Sequence, residues 1–147
     1  MEKSDEFKKA MSIVLRILSR RDKTEFQIRK RLEEFDKQTV ERVIDYLRQR
    51  KFVDDRRFAE IYYRDRKRKR WGSLKIRLAM KNLGISEEII DSVMKDLYSY
   101  EKQAASELLE RRRKDEKEKN LRFLLSRGFS YEVISELLSG ADELINS

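Results

Sequence analysis

Gly84-Ile-Ser-Glu-Glu-Ile-Ile-Asp-Ser-Val-Met94 overlays Gly128-Phe-Ser-Tyr-Glu-Val-Ile-Ser-Glu-Leu-Leu138 without a gap. The glycine, the serine two residues on, a glutamate and the apolar positions all coincide. In each copy a glycine suited to the left-handed C′ position ends one helix, and Ser86 or Ser130 caps the next. A turn repeated this closely implies a repeated unit around it, stacked mainly against its neighbours.

Helical periodicity runs through the rest of the chain, and alternating β-branched stretches are missing. Phe7, Met11, Val14, Leu15 and Leu18 form one apolar stripe. Thr24-Glu-Phe-Gln27 reads as a capping box that opens a second helix through Ile28, Leu32 and Phe35. Val40, Val43, Ile44 and Leu47 mark a third. No single stripe can complete a core, so three short helices make one unit.

The pattern returns twice. In the second copy Asp55 is placed to cap a helix bearing Phe58, Ile61 and Tyr62. Ser73 is placed to cap one bearing Ile76, Ala79, Met80 and Leu83, and Ser86 one bearing Ile89, Ile90, Val93, Met94 and Leu97. The third copy has Ala105, Leu108 and Leu109, then Leu121, Leu124 and Leu125, then Val133, Ile134, Leu137 and Leu138. The expected fold is all-α, with three tandem three-helix, helix-turn-helix-like repeats in an elongated, curved row. The repeats span 1–53, 54–98 and 99–140, followed by a tail at 141–147.

Composition narrows the chemistry. The 147 residues contain no His, Cys or Pro and four Gly. His- or Cys-based nucleophile sites, zinc fingers and a Gly-rich phosphate loop are therefore excluded. The first residues are too polar for a signal peptide, and no apolar run approaches membrane length. Adjacent Asp54 and Asp55, with no third ligand nearby, suit a helix start better than a metal or acid–base site. No enzyme, cofactor or metal is expected.

Charged residues make up 44% of the chain and the formal net charge is +8. Most of that excess lies in residues 64–77, where Arg64, Arg66, Lys67, Arg68, Lys69, Arg70, Lys75 and Arg77 face the single carboxylate of Asp65. Five consecutive cations cannot share one helical face, so they form a collar around a helix end near the Gly72 turn. Helix C-termini favour cations, but five in a row exceed that need and point to a polyanionic partner. Trp71 reads as a packing residue rather than a base-stacking platform. Arg20, Arg21, Lys23, Arg29, Lys30 and Arg31 make a secondary basic surface. The run Arg111–Lys114 is followed at once by mixed charges from Asp115 to Lys119 and reads as a solvated face.

Phe52-Val-Asp-Asp55-Arg-Arg-Phe-Ala59, continuing through Tyr62, Arg66, Gly72 and Ile76, resembles the most characteristic motif of the RecX regulatory proteins. Leu18-Ser-Arg-Arg-Asp-Lys-Thr24-Glu, leading to Arg29-Lys-Arg-Leu32, is similar to that family's N-terminal signature. Arg127-Gly-Phe-Ser-Tyr-Glu-Val-Ile134 resembles its C-terminal repeat. Ser73 and Leu74 stand where members often carry a Gly/Pro-containing turn, and the Arg66–Arg70 cluster is denser than usual for the family. The resemblance implies a cytoplasmic regulator that binds the RecA recombinase and its filament on single-stranded DNA, and a monomer is expected. It further implies inhibition of ATPase, strand-exchange and coprotease activities, hence a role in DNA repair, recombination and the SOS response. The alternative reading is a helix-turn-helix module acting directly on DNA or RNA. No base-reading set of Arg, Asn and Gln stands out on a third helix.

Overall fold

Thr24 starts its helix as the capping box requires. Its hydroxyl accepts the Gln27 N–H, and the Gln27 side chain accepts the Thr24 N–H in return. Similar local chemistry sets the other elements of the computed structural model, which describes residues 3–112 and 116–146. These residues form nine helices: α1 Lys3–Leu18, α2 Glu25–Arg31, α3 Lys37–Gln49, α4 Asp55–Arg68, α5 Ser73–Asn82, α6 Glu87–Val93, α7 Leu97–Glu110, α8 Lys117–Ser126 and α9 Tyr131–Asn146. No strand occurs among the described residues, and no helix there is long and apolar enough to cross a membrane.

The helices group by threes, the first and third of each group packing together. Each group closes its own core. Val14, Ile28, Leu32, Val43, Ile44 and Leu47 fill the first. Ala59, Tyr63, Ile76, Met80, Ile90 and Met94 fill the second, and Ala105, Leu124, Phe129, Val133 and Ile134 the third. The fold is thus all-α, with tandem three-helix repeats in a row.

Several sequence expectations need correction. Asp54, not Asp55, caps α4 by accepting the Arg57 N–H. Gly72, not Ser73, is the N-cap of α5, and Ser73 is buried. Ala59 and Tyr63, one helical turn apart, carry the core face of α4, which packs on α6, while Ile61 is exposed. Leu15 and Leu125 are likewise exposed. Leu97 opens α7 rather than closing α6, which ends at Val93. Of the second basic run, Arg113, Lys114 and Asp115 lie outside the described residues.

The displaced caps have a shared cause: both joints between units are built the same way. At the first joint the Thr24 hydroxyl donates to the Leu83 carbonyl at 2.6 Å, and the Glu25 N–H donates to the Asp55 carboxylate at 2.9 Å. At the second, the Gly72 N–H donates to the Arg127 carbonyl at 2.8 Å, and the Ser73 N–H donates to the Glu101 carboxylate at 2.8 Å. In each case the glycine turn of one unit meets the N-terminus of the previous unit's middle helix. A carboxylate from the later unit's first helix then satisfies an otherwise orphan N–H there. Glu101, almost wholly buried, also accepts the Ser130 N–H and hydroxyl, so one carboxylate caps α5 and α9 together. Burial pushes the Asp55 carboxyl above its ordinary range.

The turn glycines serve these joints twice over. Gly84 and Gly128 have φ of +79° and +85°, the left-handed region that suits glycine. A Cβ on Gly84 would also overlap Phe26, and one on Gly128 would overlap Lys75. Gly72 has an ordinary φ of −76° but lies so close to the neighbouring turn that a Cβ would overlap the Gly128 and Phe129 backbones.

Candidate binding surface

The collar sits on the last turn of α4 and the turn to α5. Two backbone bonds close the helix, from the Arg70 N–H to the Lys67 carbonyl and from the Trp71 N–H to the Arg66 carbonyl. That is a Schellman arrangement with Arg70 as C′, so Arg70 takes φ +57°.

Once folded, much of the collar is spoken for. Arg66 lies between two aromatic faces, 4.4 Å from the Tyr62 ring centroid and 4.7 Å from that of Trp71, and it pairs with Asp65. Its Nε is buried without a hydrogen-bond acceptor among the described residues, while the guanidinium carbon lies over both rings. Lys75 covers Trp71 at 4.0 Å, and Trp71 itself packs on the second core, as its packing reading expects. The Trp71 carbonyl accepts the Tyr100 hydroxyl, and burial pushes that phenol up to about 12. Lys67 bonds Asp96 at 3.0 Å, beside the Tyr63 hydroxyl that donates to the same carboxylate at 2.7 Å. Burial alone would raise Asp96, but these two donors outweigh it and hold the carboxyl below its usual range.

Arg70 pairs with Glu107 at 2.9 Å, which lowers the Glu107 carboxyl. Arg77 pairs with Asp91 at 2.8 Å, and Lys69 stands 3.8 Å from Asp65. Three of these partner carboxylates, Asp91, Asp96 and Glu107, come from outside the segment, so folding neutralises charge that the linear count left free. Arg64 and Arg68 are exposed and have no side-chain partner among the described residues. With Lys67 and Arg70 they line a cleft of about 350 Å³ between α4 and α7, closed by Tyr100, Gln103, Ala104 and Glu107.

The secondary surface divides. Arg29 is drawn into a cluster with Glu41 at 2.6 Å and Glu25 at 3.0 Å, and the Glu41 hydrogen bond leads in raising its guanidinium. Lys30 lines a depression with Glu33 and Glu34. Arg20, Arg21, Lys23 and Arg31 converge instead on a cleft of about 520 Å³ between α1 and α2, joined by Arg16. Arg16 was legible, since it stands one helical turn before Arg20. Asp54, Asp55, Phe58, Gly72, Gly84 and Gly128 lie in the caps, second core and joints described above. No group of three or more His, Cys, Asp or Glu able to hold a metal occurs among the described residues.

Residues 10–47 match the model for the first three-helix domain of RecX, and residues 54–94 match that for its second. The chain is 34% identical to the regulatory protein RecX of Clostridium tetani, over 92% of this chain and 68% of that one. The chain belongs to the RecX family.

A further RecX, from Clostridium perfringens strain SM101, is 32% identical over 92% of this chain and 70% of its own. The crystal structure of RecX from Lactobacillus salivarius matches with a TM-score of 0.81, covering 95% of this chain and 98% of that one. At 22% identity it speaks for the fold alone. A second crystal structure of a regulatory protein RecX matches with a TM-score of 0.76 at 27% identity, over 93% of this chain and 74% of that one. Both cationic surfaces fall inside RecX domain matches. The α1/α2 cleft lies in the first matched segment and the collar in the second.

Proposed function

We propose that this RecX-family chain is a non-enzymatic regulator that binds RecA and its filament on single-stranded DNA. It lowers RecA's ATPase, strand-exchange and coprotease activities and acts as a monomer in the cytoplasm. Its repeats, taken as 1–53, 54–98 and 99–140, form a row of units that can follow a filament groove. The observation that carries the reading is family membership across both of the first two units. The α4/α7 cleft supports it, because Arg64 and Arg68 there are exposed and have no side-chain partner among the described residues. Paired Arg66, Lys67, Arg70 and Arg77 hold the surface in place.

A titration of RecA's single-strand-dependent ATP hydrolysis tests this. Wild type should inhibit at or below stoichiometric amounts, and Arg64→Gln/Arg68→Gln should need several-fold more protein. Unchanged hydrolysis and filament length across the wild-type series would overturn the reading.

A further inference from the structure

The cleft of the first unit differs in kind from the collar. Arg16, Arg20, Arg21, Lys23 and Arg31 line it together with Ser12, Ile13 and Ile17, and no acidic residue takes part. None of the five cations has an ion pair, side-chain hydrogen bond or ring contact among the described residues. They come from three places: the end of α1, the turn after it, and the last turn of α2. Helix C-termini make a cation welcome at each end. They do not explain why five converge on one concavity while nearby Asp22 lines a different one with Leu15 and Phe52.

We propose that this cleft binds the phosphate backbone of single-stranded nucleic acid. Four of its five cations are arginines, whose planar forks match phosphate oxygens in pairs. Five charges around about 520 Å³ suit closely spaced phosphates better than carboxylates scattered over a protein surface. A concavity of this size admits one flexible strand, whereas a duplex presents a broad convex face. The cleft continues past Ile13 and Arg31 into the depression bearing Gln27 and the ring of Phe35, so apolar surface lies beside the charge where a base can rest. Glu33 and Glu34 also line that depression, where they repel phosphate and limit the cationic track to the α1/α2 cleft. This site is independent of the RecA reading, which rests on the family and the α4/α7 cleft.

The test is fluorescence anisotropy of a labelled fifteen-nucleotide oligothymidylate with the full chain at several salt concentrations. Wild type should bind with a falling log affinity against log salt. Arg16→Gln/Arg20→Gln/Arg31→Gln should lose about tenfold or more at low salt and flatten the slope by about 2, since each single-strand phosphate contact contributes about 0.7. Lys95→Gln/Lys119→Gln, exposed cations of the later units that line neither cleft, should keep the wild-type slope. The same variants go through the RecA ATPase titration. Failure of wild type to inhibit RecA, with cleft-dependent oligonucleotide binding intact, overturns only the RecA reading.

Three results would overturn the cleft proposal. One is a triple variant that binds the oligonucleotide like wild type. Another is a same-length duplex that competes better than the single strand. The last is loss of RecA inhibition with oligonucleotide binding preserved, which assigns the cleft to an acidic protein surface. The side chains point to solvent, and Trp71 fluorescence checks the fold; Arg20→Glu alone repeats the experiment should the triple variant unfold.

Discussion

Replacing Gly72 with alanine tests the joint between the second and third units with a single methyl group. The φ of −76° and ψ of 164° suit alanine, so the backbone itself is not strained. Alanine would even stabilise by about 0.4–1 kcal/mol through the unfolded chain if nothing else changed. The added Cβ, however, overlaps the backbone of Gly128 and Phe129, which cannot swing aside as a side-chain tip can. Relieving the overlap parts three hydrogen bonds together. Gly72 N–H to the Arg127 carbonyl and Leu74 N–H to the Gly128 carbonyl, both 2.8 Å, contribute about 1 kcal/mol each. The Ser73 N–H to the buried Glu101 carboxylate, also 2.8 Å, adds about 1.5–3 kcal/mol because its acceptor is charged. Partial relaxation and the alanine gain reduce the sum to an expected loss of about 2–4 kcal/mol. Urea unfolding followed by circular dichroism and by Trp71 fluorescence reads it. The sole Trp sits at this joint, so its transition should move to lower urea at least as far as the helical one. Stability within about 0.5 kcal/mol of wild type would refute the argument that backbone approach at Gly72 holds the units together.

Asp96→Asn should destabilise at pH 7, where the charged carboxylate holds the Lys67 ammonium and the Tyr63 hydroxyl. The folded carboxyl lies below its ordinary 3.8, so this stability is present above that pH and is lost as the pH falls through the folded value. The gap between variant and wild type in urea midpoint should therefore close in acid, and a gap independent of pH would contradict the assignment. Lys51 holds φ +58° at a helix C′ position where Gly84 and Gly128 are glycines, so Lys51→Gly should stabilise by about 0.5 kcal/mol. An unchanged or lowered urea midpoint would show that the lysine is not strained there.

Fold class was legible because every unit repeats the same local instructions. The capping box at Thr24, the Ser86 and Ser130 caps and the glycines at 84 and 128 depend on neighbours three or four residues away, and all appear in place. The joints were not legible. Asp55 and Ser73 look like caps for their own helices, yet Asp55 caps α2 across a sequence gap of thirty residues and the Ser73 N–H is taken by Glu101. The face of α4 was misread for a related reason. A stripe drawn through Ile61 is as periodic as one through Ala59 and Tyr63, and only packing on α6 selects between them.

The candidate sites divide along the same line. By itself the sequence determined that this is a row of three-helix units with its positive excess concentrated at residues 64–77, since composition and 3.6-residue periodicity are local properties. Tertiary structure decided which cations are available to a partner. It brought Asp91, Asp96 and Glu107 onto the collar, turned Arg29 toward Glu25 and Glu41, and gathered Arg16 with Arg20, Arg21, Lys23 and Arg31 around a cleft without carboxylates. Charge is additive along a chain, but its availability depends on distance to countercharges, and folding is what sets those distances.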